Sequence, residues 1–165
     1  MTETERIKVN LEQLGLKRMA GTFETEAERA AQLKTSYSGY LGRLIEEELL
    51  AKTERSVNDR LKKAHFPSVK TVEGFNYGFQ PTLNEVLVRE LAELAFLGRS
   101  ENVVLIGPPG VGKTHLAIGL GVRACAARKR VRFYSAMELL DELLAALATR
   151  KLVERLEESS RDWTC

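Results

Sequence analysis

Residues 102–117 read NVVLIGPPGVGKTHLA. The apolar, β-branched run at 102–106 predicts a buried parallel strand. It ends in Gly107-Pro108-Pro109-Gly110-Val111-Gly112-Lys113-Thr114, the pattern G-x-x-x-x-G-K-T, and an apolar helix is predicted from Lys113 to Ala127. Strand, glycine loop and helix in that order are what a phosphate-binding loop requires. Glycines let successive N–H groups turn inward toward phosphate oxygens. The helix N-terminus adds partial positive charge. Lys113 is placed to reach the β- and γ-phosphates of ATP, and Thr114 to ligate Mg²⁺ through its hydroxyl. The alternative is a glycine-rich turn with no ligand, which gives a lysine at 113 no packing reason. His115 follows the loop and joins the candidate nucleotide-binding residues, with ordinary helix packing as its alternative. Cys125, on the same helix, reads as a small buried side chain.

Working outward, Arg128-Lys129-Arg130 forms a charged turn. Residues 131–134, VRFY, predict a second strand, and Ser135 is placed to cap a helix from Ala136 to about Glu158. Upstream, Val86, Leu87, Leu91 and Leu94 mark one face of a helix over 83–97. Pro67, Gly74, Gly78 and Pro81 punctuate a stretch carrying Phe66, Phe75, Tyr77 and Phe79. Those aromatics could stack on bases or pin a connector to a core. Two helical regions precede it, over 6–33 and 37–64. Ile7, Leu11, Leu14, Met19 and Phe23 line the first; Leu41, Leu44, Ile45 and Leu49 line the second, which Ser36 or Ser38 could cap.

The expected architecture is therefore α/β. An N-terminal helical domain (1–66) and a connector (67–82) precede the first part of a P-loop αβα core (83–165). Its sheet is incomplete.

Composition agrees with a globular chain. Of 165 residues, 44% are hydrophobic and 29% charged, and the net charge is +2. A nearly neutral sum neither announces nor excludes a nucleic-acid partner. From Lys52 to Lys70, however, six cations face two acids. Arg60, Lys62 and Lys63 are candidate DNA-phosphate contacts; a solvated helix face is the alternative. Cys125 and Cys165 lack metal-ligand spacing and read as reduced thiols. Neither a secretory leader nor an apolar run of roughly 18 residues is present. A soluble cytoplasmic protein without a membrane partner is expected.

The string over 102–117 resembles the IstB-like ATP-binding helpers of insertion-sequence transposition. That family is related to the DnaC-type helicase loaders of DNA replication within the AAA+ ATPases. Ala64-His65-Phe66-Pro67, Lys70-Thr71 and Glu73-Gly74-Phe75 resemble the family's connector. Residues 14–20, LGLKRMA, are similar to its first helix, and 130–134 to the strand after the phosphate loop. The resemblance implies ATP and Mg²⁺ binding, assembly on double-stranded DNA, self-association into an AAA+ oligomer, and a transposase partner.

A P-loop ATPase also needs an acidic pair (Walker B) ending a hydrophobic strand. Residues 152–162 resemble the lead-in to that strand, but Glu157 and Glu158 follow a helical pattern and are not assigned to it. No catalytic residue is therefore named. The sensor residue and the arginine reaching a neighbouring subunit are also missing. A truncated or frameshifted copy that binds ATP without hydrolysing it is expected, since a family member continues for about a hundred residues more by ordinary domain size. In the family's strand order the two strands would not be neighbours.

The competing readings are a DnaC-type loader and a non-catalytic interaction fragment. A small-molecule P-loop kinase ranks below them, because the helix after Ser135 lacks an arginine-rich lid.

Overall fold

The structure, a computed structural model, describes residues 1–154. They divide into two compact units, Met1–Ser56 and a second that starts at Val57.

The first unit is helical. Helix α1 (Glu3–Gln13) opens with a reciprocal cap: Thr2 Oγ1 accepts from Glu5 N–H, and Glu5 Oε2 accepts from Thr2 N–H. It ends at Leu14-Gly15-Leu16. Gly15 adopts φ 71°, and the N–H groups of Gly15 and Leu16 return to the carbonyls of Glu12 and Leu11. Only this left-handed glycine closure breaks the helical region expected over 6–33 into α1 and α2 (Lys17–Gln32).

Helix α3 (Tyr37–Ala64) begins with Ser36 Oγ accepting from Gly39 N–H, as one of its two candidate caps predicts. The core of this unit is small: Met19 and Phe23 of α2 and Leu44 of α3, with Leu11, Leu16 and Tyr40 packed on them. Of the stripe expected on α3, Leu44 alone is buried; Leu41, Ile45 and Leu49 are exposed.

One polar group anchors the small core. Leu16 occupies the N-cap of α2 and offers no side-chain acceptor. Glu48, 3% exposed on α3, supplies one instead. Its Oε2 accepts from Arg18 N–H at 2.7 Å and Met19 N–H at 2.9 Å, while Oε1 accepts from Arg55 at 2.7 Å. A carboxylate from another helix thus satisfies donors that a helix start leaves open. Burial pushes the Glu48 pKa up, but these hydrogen bonds and the Arg55 charge outweigh it, and the net direction is down.

In the second unit the core joins the connector to two helices. Val72 and Phe75 pack with Val88 and Ala92 of α4 (Glu85–Ala92) and with Leu116 and Leu120 of α6 (Lys113–Ala126). Asn84 caps α4 by accepting from Val86 and Leu87 N–H. The helix expected over 83–97 is interrupted: Leu94 turns left-handed at φ 61°, and the short α5 (Ala95–Gly98) follows. Val88 and Ala92 are the buried face of α4, whereas Val86 and Leu87, expected inside, are exposed. Helix α7 (Ala136–Ala148) starts at the expected Ser135, in a reciprocal cap with Glu138. The helix expected from Ala136 to about Glu158 ends at Ala148, because Arg150 turns left-handed at φ 56°. Residues 155–165, which include Glu157, Glu158, Cys165 and the end of the 152–162 segment, lie outside the described range.

The strands expected at 102–106 and 131–134 are not formed among the described residues, which hold helices and turns but no strand. A strand exists only when its backbone groups pair across a ladder. Here Phe133 N–H goes to the Ala64 carbonyl at 2.8 Å, at the end of α3, rather than to another extended segment. Alternation survives without the ladder. Val103 and Leu105 are half-buried, while Val104 and Ile106 face outward, Ile106 at 92% exposure.

Candidate functional site

The loop at 107–112 turns through two left-handed glycines, Gly110 at φ 83° and Gly112 at φ 89°. A side chain at either position would be strained. Gly112 is the N-cap of α6 and has no side chain with which to cap it. The first N–H groups of α6 are therefore left for another acceptor, the arrangement that suits an anion. Lys113, first residue of α6, folds back so that its Nζ donates to the carbonyls of Gly107 at 2.9 Å and Pro108 at 2.6 Å. The ammonium is thus held across the loop. Thr114 is exposed beside it. Both line a cavity of about 800 Å³ bordered also by Pro67, Leu105, Phe133 and Ser135. That is ample for a nucleotide-sized ligand.

His115 faces the connector. Its Nε2 lies 2.9 Å from the Thr71 carbonyl, which can only accept, so Nε2 donates. Its ring meets Phe75 edge-on, with centroids 5.3 Å apart. Phe75 also packs at 5.0 Å against Tyr77. Among the connector aromatics, Phe75 is buried and Phe66 tilts against Phe133, whereas Phe79 is 87% exposed. Among the described residues no group of three or more His, Cys, Asp or Glu is placed to hold a metal ion. Thr114 is the candidate on the loop for Mg²⁺.

Lys62 and Lys63 are exposed in the last turn of α3, and Arg60 is half-buried one turn earlier. The Arg132 guanidinium donates to the Lys63 carbonyl at 3.4 Å. It also sits over the Tyr134 ring at 5.3 Å. The Lys63 contact ties Arg132, next to the predicted strand's start, to the end of α3. Arg128 itself is left-handed, φ 63°, and closes α6 with its N–H on the Cys125 carbonyl. Cys125 is buried, which raises its thiol pKa, so it packs as a neutral side chain. Sequence reasoning did not join Arg132 to α3, because the join depends on a contact 69 residues long. Phe75 takes the core-pinning alternative offered for the connector aromatics, whereas Glu48 gave no sequence signal for its role.

Comparison with known proteins adds the following. The sequence model of the IstB-like ATP binding proteins matches residues 9–162. The chain is 44% identical over 151 residues to the ATP-binding protein of insertion sequence IS21 from Pseudomonas aeruginosa, covering 92% of the chain and 56% of that relative. It is 39% identical over 152 residues to the insertion sequence IS5376 ATP-binding protein of Geobacillus stearothermophilus, covering 92% and 61%. A third relative, from insertion sequence IS232 of Bacillus thuringiensis, is 31% identical over 157 residues. The chain spans 56–63% of the length of these relatives.

Proposed function

The chain belongs to the family of IstB-like ATP-binding proteins, and from that premise we propose that it binds ATP with Mg²⁺ as an accessory protein of DNA transposition. One observation carries the reading: a two-glycine left-handed loop leads into an uncapped helix whose first residue is Lys113. Gly107 to Gly112 would wrap the phosphates, and Lys113 would exchange its loop carbonyls for phosphate oxygens. Thr114 would hold Mg²⁺ from the next position. Further support is that the relatives are named ATP-binding proteins of insertion sequences.

The reading extends to residues 1–66 as a helical domain, 67–82 as a connector and 83–165 as P-loop core. There, 102–106 and 131–134 would become strands once flanked by others. Arg60, Lys62 and Lys63 would contact the phosphates of double-stranded DNA. A transposase would be the partner, self-association the working state and the cytoplasm the location. The reading for residues 1–165 is ATP binding, and no hydrolytic residue is assigned among them.

The test is titration with labelled ATP in Mg²⁺. Loss of a charge-assisted contact predicts binding about 10- to 100-fold weaker in Lys113→Ala. Equal binding by both proteins would remove the phosphate-loop assignment.

A further inference from the structure

The turn from the loop into α6 is held from outside the loop. Gly112 needs its left-handed conformation, and the space above its Cα is already filled. A Cβ at 112 would lie 2.5 Å from Cε2 of Phe75 and 3.0 Å from its Cζ. Phe75 is 9% exposed, and its position is fixed on several sides. Its ring packs with Val72, Leu116 and Leu120 in the core and edge-on against His115 and Tyr77. Its N–H closes a turn on the Val72 carbonyl at 3.2 Å, and Gly74 N–H bonds Thr71 Oγ1 at 3.1 Å. His115 then ties α6 to that same turn through the Thr71 carbonyl. Close by, α6 runs against the connector backbone, where a Cβ at Gly119 would be 3.0 Å from Val72 N.

We propose that Phe75, braced by His115, is a positioning residue for the phosphate loop, and that nucleotide binding and connector order are therefore coupled. The ring edge rests where a side chain at 112 would stand, so the chain enters α6 at one angle. That angle aims the first N–H groups of the helix. By linkage, whatever binds those groups also steadies the 71–77 turn. This rests on the phosphate-loop reading above, and His115 acts in it through Thr71 and Phe75 rather than by touching nucleotide.

Four variants test it, each measured for ATP affinity with Mg²⁺ and for thermal midpoint without nucleotide. Phe75→Leu keeps an apolar side chain in the core but withdraws the ring edge. His115→Ala removes the brace, and His115→Gln restores a donor toward Thr71. Val88→Ala damages the same core from α4. A coupling of ordinary strength predicts ATP binding weaker by at least about fivefold in Phe75→Leu. A smaller loss is expected in His115→Ala, with recovery in His115→Gln. Val88→Ala should lower the midpoint and leave affinity unchanged. In the unaltered protein, ATP should slow amide exchange over 71–77, and in Lys113→Ala it should not. Phe75→Leu binding like the parent, or Val88→Ala weakening ATP equally, would overturn the coupling. An unaltered protein that fails to bind ATP would remove the phosphate-loop reading and this inference with it.

Discussion

Glu48 shows how much one buried residue can carry. A carboxylate with three donors around it is held in the charged form, and its lowered pKa makes it a stability term with a definite pH range. The contribution is complete above the ordinary carboxylate value of about 4.3. It is lost as pH falls through the lower folded value. Thermal melts of the first unit from pH 7 to pH 3 should therefore show an acid limb that Glu48→Gln flattens. At neutral pH the same variant should melt about 5 °C or more lower, because the N–H groups of Arg18 and Met19 lose a charged acceptor. An unchanged acid limb would show that another carboxylate sets it. Nothing in the sequence around 48 distinguishes this glutamate from Glu46 and Glu47; its role depends on the bare Leu16 cap. By contrast, Lys113 and the glycines before it were legible, because their chemistry is local and their order is the mechanism.

Helix ends are the informative elements. Several helices close on left-handed residues that are cationic rather than glycine: Lys34 after α2, Arg128 after α6 and Arg150 after α7. The backbone cost of about 1 kcal/mol is partly offset by the negative end of the helix dipole. The last turn of α3 carries the cations Lys62 and Lys63, and Arg132 donates to the Lys63 carbonyl. If this face meets DNA, reversing both lysines to glutamate should lower duplex affinity and flatten its dependence on log salt by about two. Fluorescence titrations of a labelled duplex at several salt concentrations measure both quantities; an unchanged slope would assign the lysines to plain solvation.

Helix starts were read well from sequence at Ser135 and Ser36, since caps act over three residues. Breaks at Gly15 and Leu94 were not. Apolar periodicity runs straight through both, and only the closing hydrogen bonds reveal the turn.

At the scale of the molecule, much apolar surface faces outward. Val104 and Ile106 are exposed, as are Leu140, Leu144 and Leu147 of α7, where no described residue is buried. Large exposed apolar areas are uncommon on a self-sufficient monomer. Anilinonaphthalene sulfonate should fluoresce well above the level of a protein with a covered core, and sedimentation should show concentration-dependent association. Background dye signal with a strict monomer would contradict this. The same surface explains why the expected strands failed to form. Residue pattern at 102–106 and 131–134 is strand-like, but pairing is a property of neighbours, and the ladder partners are not among the described residues. Among the described residues no helix is long and apolar enough to cross a membrane.

The reach of the contacts carries a consequence for how the chain acquires its shape. In the first unit Tyr40 meets Phe23 across 17 residues and Arg18 meets Glu48 across 30. In the second, His115 meets Thr71 across 44, and Arg132 meets Lys63 across 69. Short loops close sooner and at lower entropic cost than long ones. During synthesis the helical unit can assemble while the phosphate loop is still untranslated. The connector, made early, waits for α6 before Phe75 can meet Gly112, His115 and Leu116.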